Sequence, residues 1–506
     1  MKTNSQNINI KRIQRISRNF FLHIHSPKIH PHALRPTYTF GLGVILAFLF
    51  LIMIITGFIL MMNYTPSVEQ AYNSVKDIVF VVPGGKYIRN IHRWAAHGMV
   101  LVTFLHLTRT FLTGSYFGKR KWNWIIGICM LLVVMFMSFS GYLLPWDQLA
   151  YWAVTIGSNI AASARELTDI LGITNVLDIG GFFKKLLIGD ETVGQTALTR
   201  FFMLHVVFLP ITLMVLTGWH FWRIRKDGGL SRPLREESAS PQVLKPSSLQ
   251  YSKAGNLMSD DVKFQDRSDP NRERPPVVQA HGSISSKNQD TLRADKRIYT
   301  WPVLMWIELS LLLFTTTIIL IMAFVFDAPL REQANISFPE NPAKSSWYFL
   351  GIQELVSYSA FTGGLLIPLL FIAFLISIPF IDKEDRFSGI WFSGKQGLKI
   401  GAVTILYSLL ITVILVFIAV KFGWFREWFG DIPGFIIMII NPGTLSALFY
   451  ILWSILIKTR TGSTRMAAIA LFLCAMTGLI IYTSIGIWFR GPNWDFYWSQ
   501  SQWPMI

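Results

Sequence analysis

Two apolar stretches of membrane length each carry a histidine near both ends, and this limits the fold more than any other feature of the chain. In RNIHRWAAHGMVLVTFLHLTR (89–109), His92 and His106 are 14 residues apart, and in HVVFLPITLMVLTGWH, His205 and His220 are 15 apart. Each interval is about four helical turns, so both imidazoles of a stretch leave one face, roughly 21 Å apart along the axis. Ionisable side chains inside a membrane helix are costly unless paired or used, and chance burial does not reproduce one spacing on two helices. Two such helices facing each other can clamp two stacked haems, one histidine from each helix on each iron. Antiparallel helices bring together residues of equal depth, which pairs His92 with His205 and His106 with His220. His97 points roughly 140° away from His92 and 180° from His106 at about 100° per residue, so no iron is assigned to it.

The composition agrees with a bilayer setting. Of the 506 residues, 52% are hydrophobic and 15% charged, too apolar for an ordinary soluble protein. Runs able to cross a hydrocarbon core of about 30 Å lie near 38–63, 91–114, 123–144, 201–222, 300–326, 361–381, 399–420, 433–457 and 466–489. The expected fold is therefore an all-α polytopic membrane protein of about nine transmembrane helices, a four-helix bundle over 38–225 and a second module from 299 on. The polar stretch 226–298, rich in Ser, Asp, Arg, Lys and Pro, reads as a cytoplasmic linker between them.

The net charge of +17 does not point to nucleic acid. Its basic residues cluster before the first run (Lys11, Arg12, Arg15, Arg18) and after the second (Lys119 to Lys121), fourth (Arg223, Arg225, Lys226) and eighth (Lys458, Arg460, Arg465). All fall on one side if the N-terminus is cytoplasmic, and an odd number of spans then puts the C-terminus outside. The polar, basic first residues give no cleavable signal, and Ile13, Ile16 and Phe20 suit a short helix lying on the cytoplasmic face. His23, His25, His30 and His32 follow, with Pro27 and Pro31 interrupting any regular ligand spacing. The two cysteines, Cys129 and Cys474, both fall within spans, which excludes a disulfide framework, an iron–sulfur ligand set and a Cys-x-x-Cys-His haem attachment.

Further residues repeat the histidine spacing. Gly43 and Gly57 are 14 apart in the first run, Gly127 and Gly141 14 apart in the third, and missing side chains there leave room for a flat macrocycle at each depth. Arg89 stands three residues before His92 and Arg109 three after His106, placed for haem propionates near the membrane surfaces. On the outer side, GYLLPWDQLAYWA (141–153) and the polar, aromatic loop 327–355 are two candidate walls of one pocket, and short amphipathic stretches within 161–195 lie flat on the surface.

At this point the chain resembles cytochrome b of the quinol-oxidising bc-type complexes. IRNIH and HLTR around His92 and His106, the paired glycines, PWDQ with its YWA, and VGQTALTRFFMLH leading into His205 carry the resemblance over 37–225. The 15-residue interval and the following IRK are similar to the photosynthetic form, which is split into two chains; here the two parts are joined through the linker. Residues 299–385 resemble the quinol-site half and WFRGPNWDFYW (488–498) a C-terminal signature of some bacterial members, while 386–480 match only weakly. Two departures stand out. TYTFGLG (37–43) has no cysteine where the photosynthetic form attaches an extra haem, and the family's Pro-Glu-Trp-Tyr is here Ser345, Ser346, Trp347 and Tyr348.

The resemblance implies a quinol:cytochrome c-type oxidoreductase subunit with two non-covalent, bis-histidine b haems, coupled to proton translocation. Quinol would be oxidised between Tyr142 to Trp152 and Trp347 to Glu354, with Tyr142, Trp347, Tyr348 and Glu354 as the reactive-site candidates and Glu354 replacing the displaced carboxylate. Arg225, with Asp227, marks the inner quinone site. A Rieske-type iron–sulfur protein, a c-type cytochrome and a second copy of the chain are the implied partners, in a bacterial inner membrane. A di-haem anchor for another redox enzyme is the nearest rival, and a proton-relay transporter the rival of another class; the latter predicts broken helices in inverted repeats, which the sequence does not display.

Overall fold

The computed structural model describes residues 25–232, 298–384, 388–429 and 432–504. The expected surface helix at Ile13 to Phe20, His23 and most of the linker lie outside the described residues. His25 pairs with Glu308 at 3.3 Å, and His30 caps a short turn by accepting from the His32 backbone.

The first module runs α1 (Leu42–Met61), α2 (Ala71–Phe80), α3 (Gly85–Leu112), α4 (Lys121–Tyr142), α5 (Gln148–Ala162), α6 (Arg165–Ile170), α7 (Ile179–Ile188) and α8, a continuous helical rod over Gln195–Lys226. The second runs α9 (Val303–Val325), α10 (Trp347–Tyr358), α11 (Thr362–Ile381), α12 (Lys395–Phe422), α13 (Pro442–Thr461) and α14 (Thr464–Trp488). Among the described residues eight of these helices are long and apolar enough to cross a membrane. The other expected span, α3, is 28 residues of helix whose histidines and arginines lower its hydropathy. The largest boundary shift is in the run expected over 433–457, whose helix starts at Pro442, because Asn441 caps the Thr444 amide and proline is suited to the first helical turn.

Within the first module α1 packs along α3 and α4 along α8. The stretches within 161–195 form the short helices α6 and α7, the latter packed on α5 and on the start of α8. In the second module α14 is central, packed against α10, α12 and α13 and buried along much of its length. Between apolar helices in lipid, packing and interhelical hydrogen bonds replace the hydrophobic effect as the source of association. Small residues and hydroxyls supply both here: Gly478 lies under Tyr450, Ser446 bonds Tyr482 at 2.8 Å, and the Ser408 hydroxyl donates to the Cys474 carbonyl at 3.0 Å.

The two modules share a core. Phe111 of α3 stacks on Phe472 of α14 with ring centres 4.2 Å apart, and Trp124 and Leu375 pack around them. At the same end Arg465 and Asp382 form a fully buried pair at 2.7 Å, to which Tyr116 of the first module donates at 2.8 Å. Near the opposite end of α3, Asn90 binds the Ala323 carbonyl and the Ala328 amide, and Trp94 donates to the Phe326 carbonyl. Lys86 reaches Asp327 at 2.8 Å and, with Asn90, holds that exposed carboxyl below its ordinary pKa.

Candidate functional site

The geometry at the four histidines is set by two helix pairs. His92 of α3 faces His205 of α8 with ring centres 6.2 Å apart and planes at 72°; His106 faces His220 at 6.5 Å and 71°. A metal–imidazole bond of about 2 Å, with the ring centre roughly 1 Å beyond the nitrogen, separates two rings by about 6 Å across one ion. Both pairs therefore have the separation of a bis-histidine centre. The unequal intervals, 14 residues on α3 and 15 on α8, are reconciled by a π turn over Leu204–Phe208 just ahead of Pro210, which absorbs one residue.

Each ring is held from behind. The Thr56 hydroxyl donates to the Ile52 carbonyl at 2.8 Å, so its oxygen accepts from His92 Nδ1 at 2.9 Å; His205 Nδ1 donates to the Met137 carbonyl at 3.1 Å. Protonated at Nδ1, both rings present the Nε2 lone pair to each other, which is the tautomer a metal ligand needs.

The glycines form the other walls. A Cβ at Gly57 would sit 3.2 Å from His92, and one at Gly43 would sit 3.5 Å from His106. At Gly141 it would stand 2.4 Å from His205, and at Gly127 3.9 Å from His220. Each glycine thus serves one histidine of one rung. Arg89 donates to the Ala328 and Pro329 carbonyls at 2.7 Å while lining the outer rung's cavity, and Arg109, bonded through Nε to the Tyr38 carbonyl, keeps Nη2 buried without a partner beside the inner rung. A buried guanidinium N–H with no acceptor is what a propionate-bearing group would satisfy.

From the outer rung a cavity of about 590 Å³ continues between the modules, lined by Tyr142, Asp147, Arg93, Arg331, Ser346 and Tyr348. Its wall is stitched by PWDQ. Pro145 ends α4, Trp146 turns with a φ of +51°, and Asp147 caps α5 at the Ala150 amide while accepting from the Arg331 amide at 3.0 Å. Gln148 and Trp146 complete a short antiparallel bridge to 332–334. The Ser346 hydroxyl faces those of Tyr142 and Tyr348.

Three expected site residues stand elsewhere. Glu354 does not reach this cavity: it is fully buried, accepting from Arg490 at 2.6 and 2.9 Å, Tyr358 at 2.8 Å and Trp494 at 3.0 Å. Burial works against the Arg490 charge, and the Glu354 carboxylate outweighs it, leaving the guanidinium pKa above its ordinary value. Trp347 points away from the lining and donates from its indole to His97. Arg225 is exposed and off the inner cavity, whose polar lining includes Arg109, Arg120, Asn123 and Asp227; Asp227 pairs with Arg223 at 3.0 Å. The Glu354–Arg490 pair and the His97 contact were not readable from spacing, although WFRGPNWDFYW, with an arginine among aromatics at a helix end, was the available signal for the first.

Residues 27–228 match the family model described as cytochrome b/b6/petB. Cytochrome b6 of two Prochlorococcus marinus strains is 42% identical over 193 residues, which is 38% of this chain and 83% of theirs. Among solved structures, a hyperthermophilic respiratory Complex III chain shares the fold over 91% of this chain and 92% of its own, at a TM-score of 0.54 and 19% identity. The helices from α12 onward, weakly matched in sequence, are therefore largely within a fold that recurs.

Proposed function

This chain belongs to the cytochrome b family, and we propose that it is the quinol-oxidising, di-haem subunit of a bc-type complex, acting on membrane quinol at the outer cavity and delivering electrons to an inner quinone site. It is an integral membrane protein that binds b-type haem, an oxidoreductase subunit. The observation that carries the fuller reading is the continuity of one cavity from the His92–His205 rung to Tyr142, Ser346 and Tyr348.

In this reading His92 with His205 and His106 with His220 hold the two haems, Gly57, Gly141, Gly43 and Gly127 leave space beside the rings, and Arg89 and Arg109 bind propionates. When bound, the haems supply one-electron transfer at two depths of the bilayer, with no open position for oxygen chemistry. The chain's own residues do the rest. Tyr142, Tyr348 and Ser346 offer hydroxyls to a quinol oxygen, and Asp147, tied to two backbone amides, fixes the loop that shuts the cavity toward the second module. On the inner side, Arg120, Asn123 and Asp227 border the same cavity as His106 and His220, and a quinone approaching from that side would be reduced there. The two helix-embedded cysteines leave the iron–sulfur and c-type centres to partner chains, a Rieske-type protein and a c-type cytochrome, in an assembly built on two copies of this chain.

The test is anaerobic addition of a decyl-substituted benzoquinol, and separately a naphthoquinol, to the purified complex. Reduction of b haem within the mixing time of a steady-state assay is expected with one of them. A complex whose haems dithionite reduces but neither quinol does would overturn the reading.

A further inference from the structure

We infer that His97 is a fixed hydrogen-bond donor of the outer cavity, its Nε2–H holding an oxygen of the quinone-type substrate; the inference rests on reading that cavity as the quinol site. His97 lies five residues inward from His92 on α3, turned off the haem-ligand face, and lines the cavity together with Arg93, Ser138, Ser346 and Tyr348. Its Nδ1 stands 3.0 Å from the Trp347 indole nitrogen. An indole N–H only donates, so Nδ1 carries the lone pair and the proton of the neutral ring sits on Nε2. This is the reverse of His92 and His205, whose Nδ1–H groups are spent on Thr56 and Met137. The same residue type on one helix pair is thus set in two tautomers, one presenting a lone pair, the other a proton.

The ring has little freedom to turn. Trp94 lies 5.4 Å from it and Tyr348 5.7 Å, ring centre to ring centre, and the Trp347 bond fixes the remaining edge. Among the described residues no group accepts from Nε2, while Tyr142, Tyr348 and Ser346 are hydroxyls whose protons can rotate toward one another. His97 is therefore the one uncharged donor on this wall whose direction is set by the fold. A quinone carbonyl and a quinol hydroxyl oxygen both accept such a bond, so the contact holds the ring in either redox state. With Glu354 occupied by Arg490 and serine at the place of the family's carboxylate, orientation of the substrate falls to this donor.

The experiment follows quinol-driven b-haem reduction in the purified complex at varied decylbenzoquinol concentration. His97→Phe removes the donor and keeps the ring volume; its half-saturating concentration rises about tenfold, with the limiting rate within about twofold and both haem spectra unchanged. His97→Gln, whose amide nitrogen falls near the Nε2 position, stays within about threefold of wild type, and Trp347→Phe, which frees the tautomer, falls between. A His97→Phe complex that saturates at the wild-type concentration, or a Gln variant no better than Phe, overturns the inference. Should His97→Phe fail to assemble, the Gln and Trp347→Phe variants decide. A wild-type complex that quinol does not reduce removes the functional reading as well, whereas reduction of wild type and an unchanged Phe variant remove this inference alone.

Discussion

Glu354 and Arg490, 136 residues apart in sequence, meet inside the second module through two hydrogen bonds of 2.6 and 2.9 Å. With Tyr358 and Trp494 added, the carboxylate has four donors, and the C-terminal segment 488–498 is strapped across α10 by a residue whose place in the sequence suggests the quinol pocket.

Breaking such a pair leaves one charge buried and unpaired, at a cost of about 3–5 kcal/mol. Glu354→Gln is expected to lower the thermal midpoint and yield of the detergent-solubilised complex. The folded fraction should turn over quinol within about threefold of wild type, since a general base would contribute at least about 100-fold. Glu354→Gln combined with Arg490→Met should recover part of the stability. A selective loss of turnover in a fully stable Glu354→Gln complex would return the residue to the reaction.

Two haems per chain are expected in a pyridine haemochrome assay. His92→Ala and His205→Ala should remove the same spectral component, and His106→Ala and His220→Ala the other, because the rings pair at 6.2 and 6.5 Å. Loss of one component by both His92→Ala and His106→Ala would contradict the pairing.

The glycines should differ in tolerance. A methyl at Gly141 would stand 2.4 Å from His205, whereas at Gly127 the nearest approach to His220 is an ordinary 3.9 Å. Gly141→Ala is therefore expected to lose most of the outer haem and Gly127→Ala to retain the inner one, read from the reduced-minus-oxidised spectrum. Equal retention in both variants would argue that the cradle is not shaped by these contacts.

Orientation can be read from proteolysis. In sealed right-side-out vesicles the 233–297 stretch should resist added protease, and in inverted vesicles it should be cut, following the basic residues at Lys119 to Lys121 and Arg223 to Lys226. Cleavage only in the right-side-out preparation would invert the topology.

How much could be read in advance depended on whether a feature was periodic along one helix. The histidine rungs and their glycines repeat at about four turns, so both the helices and the faces they share were visible in the residues. PWDQ was recognisable as a break because proline stops a helix and Asp147 can cap the next. What escaped were contacts closed by long-range packing: Arg490 on Glu354, Arg465 on Asp382, and Trp347 on His97. In each case the partners come from segments far apart in the chain, and no local pattern records which of the available charges or ring nitrogens will meet. Glu354 shows the consequence, since a costly buried carboxylate looks the same in sequence whether it is used or merely neutralised.

The π turn at Leu204–Phe208 means that the number of residues between the two histidines of this helix is not itself the quantity that aligns the rungs. What is kept is rotational phase, and the wide turn acts as a vernier that brings a 15-residue interval back into step with a 14-residue one. A one-residue deletion at Val206 or Val207 that tightened this turn to an ordinary one would leave both rungs aligned with α3. The same deletion at Leu213, with the wide turn retained, would swing His220 about 100° round its axis and out of reach of His106. Length variation in this helix is thus tolerable at one address and ruinous a turn or two further along.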